Sequence, residues 1–106
     1  MHIRVVGCSH RTTPLEIREK LAFGLQEVPA VLRAWREQMG PTEAVLLSTC
    51  NRVELYLASD TYPLPPVGET IDFILGSRGQ KQEEWERYFY SYDLEDAVRH
   101  LFRVAA

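Results

Sequence analysis

The 106 residues contain no apolar run approaching the ~20 residues of a membrane-spanning helix, and no basic-then-apolar secretory leader opens the chain. Both absences point to a cytosolic, cytoplasmic protein. Cysteine is scarce: two thiols are too few for a secreted disulfide framework, and a cytosol would keep them reduced. No GxGxxG follows a strand-like run, and Gly76-Ser77-Arg78-Gly79 fits no phosphate-binding pattern, so no nucleotide-cofactor site is expected within these residues. A zinc site from Cys8, His10, Cys50 and His100 is not expected either, because Cys8-Ser9-His10 is not a usual ligand spacing. Strong charge of one sign is also missing. The net charge is −3, with seven Lys and Arg against six Asp and Glu in residues 1–56, and five against nine in residues 57–106. That balance does not advertise nucleic-acid binding. Lysine is nearly absent, since ten of the twelve cations are arginine, a bias that suits bidentate recognition of carboxylate or phosphate.

What is present is ordinary for a globular chain: 45% hydrophobic and 25% charged residues, enough for one domain and one modest core. Ile3 to Cys8 is a β-branched apolar run that reads as a buried first strand, with Cys8 as its closing core residue. Thr13-Pro14-Leu15-Glu16 predicts a helix start, with Thr13 as N-cap, Pro14 at the first helical position and Glu16 completing a capping box. That helix runs to about Phe23, with Gly24 as its stop. Val28, Val31, Leu32, Trp35 and Met39 form an apolar stripe that predicts a second helix, ended by Gly40-Pro41.

Ala44 to Leu47 and Val53 to Leu57 are strand-like runs close enough to pair as a hairpin. Alternation puts Val53, Leu55 and Leu57 toward the core, with Glu54 and Tyr56 on the opposite side. Pro63-Leu64-Pro65-Pro66 is a stiff connection, after which Val67, Ile71, Ile74 and Leu75 predict a third helix ended by Gly76. Ser77 to Glu84 reads as a loop. Trp85 to Tyr92 reads as a last strand, with Tyr88, Tyr90 and Tyr92 on one face. A final helix opens on Asp93-Leu94-Glu95-Asp96, with Leu94, Val98, Leu101 and Ala105 as its core stripe and His100 on the flank. This pattern runs on to the last residue without a cap, as in the front piece of a longer protein. Together these elements predict an α+β sandwich, with antiparallel strands and helices on one face.

The polar break between the two central strands carries the chemistry. Cys50 falls at or beside the turn, and Arg52 follows two residues later. If extended geometry continues through the break, both side chains point to one side, and a guanidinium beside a thiol favours the nucleophilic thiolate. The residues alone leave two readings open, because most free cysteines are small buried hydrophobes. His100 is open in the same way, a flank histidine being more often a surface residue than a site residue. His10 can be pocket wall or loop hydrogen-bonder, and His2 is uninformative.

Ser48-Thr49-Cys50-Asn51-Arg52-Val53-Glu54-Leu55-Tyr56 resembles the catalytic-cysteine motif of the glutamyl-tRNA reductases, which open the five-carbon route to tetrapyrroles, hence porphyrins. Gly7-Cys8-Ser9-His10-Arg11-Thr12-Thr13-Pro14 with Arg18-Glu19-Lys20-Leu21 is similar to that family's opening, and His100-Leu101-Phe102-Arg103-Val104-Ala105 resembles a later helix. The resemblance implies that residues 1–106 are a ferredoxin-like N-terminal catalytic domain. It implies that Cys50 takes the glutamyl group of glutamyl-tRNA(Glu) as a thioester, which NADPH reduces to glutamate-1-semialdehyde. His100 would orient the thiol or move a proton, Arg52 would grip the substrate γ-carboxylate, and Thr49, Asn51 and His10 would line the pocket. The NADPH-binding and homodimerising domains would lie outside this chain, so these residues alone are not expected to reduce anything. Two rival classes remain: a stand-alone thiol esterase or acyl transferase, and a non-catalytic ferredoxin-like binding module.

Overall fold

The computed structural model describes residues 1–61 and 63–106. Four strands, β1 (His2–Ser9), β2 (Glu43–Ser48), β3 (Arg52–Ser59) and β4 (Tyr90–Asp93), pair antiparallel in the order β2-β3-β1-β4. Helices α1 (Leu15–Leu21) and α2 (Val28–Met39) connect β1 to β2, and α3 (Val67–Ser77) with the short α4 (Gln82–Trp85) connects β3 to β4. This is the split βαβ order of a ferredoxin-like sheet, followed by a fifth helix, α5 (Leu94–Ala105).

Alternation along β1 and β3 divides the molecule into two layers. On one face Val6, Cys8, Val53, Leu55 and Leu57 pack with Leu21, Phe23, Trp35, Ile71, Phe73, Ile74 and Leu75. Trp35 meets Phe73 edge-on at 5.1 Å, a geometry aromatic pairs favour. The α2 stripe is core as its spacing predicts, with Trp35 buried and Val28, Val31, Leu32 and Met39 packed beside it. Pro29 sits in the first turn of α2, and Gly40 ends the helix at φ +82°, a conformation only glycine adopts cheaply. Arg4 ties the far end of the sheet together: it donates to Asp93 at 2.5 Å and to the Pro65 carbonyl at 2.7 Å.

Several local expectations give way. The helices are not all on one face: α5 packs on β1 and β4 from the other side, over Val5, Tyr90 and Tyr92. Its predicted core stripe is exposed, with Leu94, Val98 and Leu101 at 38–55%, and Phe102 beside the stripe is at 71%. Ala97 and His100 are buried instead, because the sheet covers only one edge of a broad apolar arc.

Thr13 caps nothing with its side chain. Pro14 holds the N-cap position of α1, and Thr13 is turned inward, with its hydroxyl on Thr12 and the Cys8 thiol. Helix α1 ends at Leu21, where Ala22 turns extended, and Gly24 heads a 3-10 turn, Leu25–Glu27, that the Glu27 carboxylate caps. Glycine did not stop α1 because its chain leaves early to bury Phe23. The loop expected over Ser77 to Glu84 is interrupted by the start of α4. The last strand is shorter than predicted, since Trp85 closes α4 and Tyr88 ends a 3-10 turn, leaving only Tyr90 and Tyr92 on a shared face.

Candidate functional site

The β2–β3 hairpin is closed by a tight turn. The Thr49 amide donates to the Arg52 carbonyl at 2.8 Å, while the Thr49 hydroxyl accepts from the amides of Asn51 and Arg52. A threonine at this position suits the job, because its short side chain satisfies turn amides that have no ladder partner. Two neighbours hold the apex from outside: the His10 amide donates to the Asn51 carbonyl at 2.7 Å, and Arg18 donates to the Cys50 carbonyl at 2.6 Å. Cys50 is exposed at the apex and Cys8 is buried in β1, as their sequence contexts predict. Burial pushes the Cys8 thiol up, which leaves it the inert member of the pair. The backbone at Cys50 is turned rather than extended, so alternation does not aim Cys50 and Arg52 the same way.

On the sheet face under α5 lies a feature the sequence reading missed. Glu54 is fully buried, and its carboxylate gathers the Tyr56 hydroxyl at 2.8 Å, the Tyr90 hydroxyl, and His100 Nε2 at 2.5 Å. Arg52 Nη1 stands 3.6 Å from the same carboxylate. Buried carboxylates persist only with such partners. Gly7 makes room for it: paired with Glu54 across β1 and β3, a Cβ on Gly7 would lie 2.7 Å from Glu54 Cγ and 2.4 Å from the Val53 carbonyl oxygen. Tyr56 and Tyr90 are held in their neutral phenol form, first by burial and then by donating to this carboxylate. Alternation did place Glu54 opposite the main core. What it could not show was that α5 roofs that side.

A cleft of about 370 Å³ opens beside this cluster, lined by Ser9, His10, Arg11, Thr12, Arg52, Tyr90, Tyr92, His100, Arg103 and Val104. It brings together three of the sequence-predicted site residues, His10, Arg52 and His100. Thr49, Cys50 and Asn51 are not part of its lining but adjoin it through His10 and Arg52, which hold the turn on either side. No hydrogen bond joins His100 to Cys50 among the described residues; its Nε2 is engaged by Glu54. With Arg11, Arg52 and Arg103 on its walls the cleft is built for an anion, and only Arg52 of the three has a carboxylate partner among the described residues. Among the described residues no three His, Cys, Asp or Glu side chains gather as metal ligands, and no helix is long and apolar enough to cross a membrane.

The profile of the family "Glutamyl-tRNAGlu reductase, N-terminal domain" matches residues 6–106. The chain belongs to that family. The glutamyl-tRNA reductase of Neisseria gonorrhoeae is 42% identical over 105 residues, covering 99% of this chain and 24% of that protein. That of a Synechococcus strain is 44% identical over 106 residues, again covering 24% of its own length. Among solved structures, the glutamyl-tRNA reductase from Methanopyrus kandleri superposes with a TM-score of 0.63 at 30% identity, over 97% of this chain and 22% of that one. The chain thus spans about a quarter of the length of the reductases it matches. The agreement in fold extends to the four-stranded antiparallel sheet and its helices, as expected for the N-terminal domain of a glutamyl-tRNA reductase.

Proposed function

We propose that this domain performs the acyl-transfer half of the glutamyl-tRNA reductase reaction in tetrapyrrole biosynthesis, with glutamyl-tRNA(Glu) as substrate and Cys50 as nucleophile. The observation that carries the reading is the juxtaposition of an exposed thiol on a braced turn with a cleft walled by arginines, in a chain of this family. The Cys50 thiolate attacks the ester carbonyl at the 3′ end of the tRNA. A C–S bond forms, the C–O bond to the ribose breaks, and the leaving oxygen takes up the proton that the thiol gave away. Arg52 grips the γ-carboxylate, because its guanidinium is held at the cleft wall by Glu54 yet keeps donors free for a second anion. His10 lines the same wall, while Thr49 and Asn51 keep the turn shaped through their backbone bonds. His100 closes the cleft floor and, through Glu54, steadies Arg52.

Reduction is assigned elsewhere. The family uses NADPH, and these residues do not fit it. The glycines at 76 and 79 lie at the C-terminal end of α3, where the amides of Arg78, Gly79 and Gln80 are already spent on helix carbonyls and cannot cradle a pyrophosphate. Homodimerisation is likewise assigned to a domain outside residues 1–106. On its own the chain should form the thioester slowly and lose it to water, a net esterase activity. Incubation with glutamyl-tRNA, with and without NADPH, tests this. Free glutamate should appear, no NADPH should be consumed, and Cys50→Ser should abolish the release. Glutamate release undiminished in Cys50→Ser would remove Cys50 from the role, and semialdehyde formation would show a cofactor site within these residues.

A further inference from the structure

Among the described residues Arg18 is the one cation that hydrogen-bonds to Cys50, the residue at the hairpin apex. It lies on α1, half-buried, and its guanidinium bridges two chain segments, donating from Nε to the Thr13 carbonyl at 3.2 Å and from Nη1 to the Cys50 carbonyl at 2.6 Å. The carbonyl oxygen and Sγ of one cysteine are four bonds apart and stay within about 5 Å, so Nη1 is within about 8 Å of the sulfur in any rotamer. Arg18 forms no ion pair among the described residues, so its charge is not neutralised by a neighbouring carboxylate. Arg52 differs on both counts. It stands 3.6 Å from the buried Glu54 carboxylate, and it faces a cleft that Cys50 does not line.

We propose that Arg18, rather than Arg52, is the positioning residue of Cys50: it pins the hairpin apex to α1 and keeps an uncompensated positive charge near the sulfur of the nucleophile. This rests on Cys50 being the nucleophile and divides the work of the two arginines. Arg52 serves the substrate carboxylate and Arg18 serves the thiol. The turn alone does not supply this, since Thr49 satisfies only the amides of Asn51 and Arg52 and leaves the Cys50 carbonyl to Arg18.

A unit charge about 8 Å away stabilises a negative charge roughly twofold in a water-like dielectric and up to about thirtyfold in one typical of a protein surface. The test is the rate of Cys50 alkylation by iodoacetamide, a neutral reagent, at neutral pH, with a melting curve for each variant. Arg18→Met should slow alkylation about tenfold, Arg18→Lys should fall between it and the wild type, and Lys20→Met, one half-turn on along α1 and stacked over Trp85, should match the wild type. An Arg18→Met rate equal to wild type at an unchanged melting temperature overturns the proposal. If Arg18→Met does not fold, the salt dependence of the wild-type rate decides instead. Screening should slow the reaction, and a flat response overturns the proposal. The two readings fail separately. A fast wild type with an equally fast Arg18→Met removes Arg18 alone. A wild-type Cys50 no faster than free cysteine removes the nucleophile, even where the Arg18 difference persists.

Discussion

At the scale of single residues, the site is organised by a carboxylate that never meets water. Glu54 accepts from two tyrosines and a histidine and stands beside an arginine, so each partner's position depends on its charge. Glu54→Gln would turn one acceptor oxygen into a donor facing other donors. It should cost about 3 kcal/mol of stability, read from the urea midpoint. A loss under about 1 kcal/mol would mean that the cluster is not held together by the carboxylate.

The same cluster sets an alkaline limit. Tyr56 and Tyr90 titrate above the ordinary value of about 10 because the fold favours the neutral phenol, so their contribution is complete below that pH and is lost as pH rises toward their folded values. Two of the five tyrosines should therefore ionise late and together with loss of far-UV circular dichroism. Five tyrosines ionising near pH 10 with the fold intact would contradict this. The contrast between Cys8 and Cys50 was legible because an apolar run and a polar break differ in composition. Glu54 was not, because alternation names a side of the sheet without saying what covers it.

At the scale of elements, the β2–β3 hairpin and the α2 stripe followed from pattern, whereas α5 did not. Its apolar arc is wider than the sheet edge it lies on, so a hydrophobic wheel centres on residues that stay exposed and puts His100, the buried one, on the flank. Substitutions should respect the observed faces. Phe102→Ser should change stability by no more than about 0.5 kcal/mol, while Ala97→Asp, a buried unpaired charge, should cost about 3 kcal/mol or more. Equal effects of the two in thermal unfolding would restore the wheel's version.

Gly7 tests the packing of β1 on β3. Its Cβ would meet backbone rather than a flexible tip, so Gly7→Ala should lose about 1–3 kcal/mol and loosen the Glu54 cluster. Helix ends and the short β4 were the least legible parts. Thr13 turns toward Cys8 instead of capping, and Trp85 enters a helical turn despite its strand-like neighbours, both choices made by tertiary contacts.

At the scale of the whole molecule, the proposed reaction divides into two steps. The chain holds an exposed thiol on a braced turn beside a cleft walled by arginines, and these are the parts to which the proposed function gives the acyl transfer. The amides that follow Gly76 are spent on helix carbonyls, so that turn offers no cradle for a pyrophosphate. The strength of the grip should show in selectivity. In a full-length reductase carrying this domain, Arg52→Leu should weaken the use of glutamyl-tRNA by about 2–5 kcal/mol in kcat/KM, since a desolvated carboxylate would lose its partner. Unchanged kinetics would take that role from Arg52.

Covalent capture by Cys50 is open to intact-mass analysis of the chain quenched in acid after brief mixing with glutamyl-tRNA. Wild type should carry one glutamyl adduct, mapped to the peptide bearing Cys50, cleared by hydroxylamine as a thioester is, and absent from Cys50→Ser. An adduct that persists in Cys50→Ser, or none in wild type under conditions where glutamate is released, would contradict it.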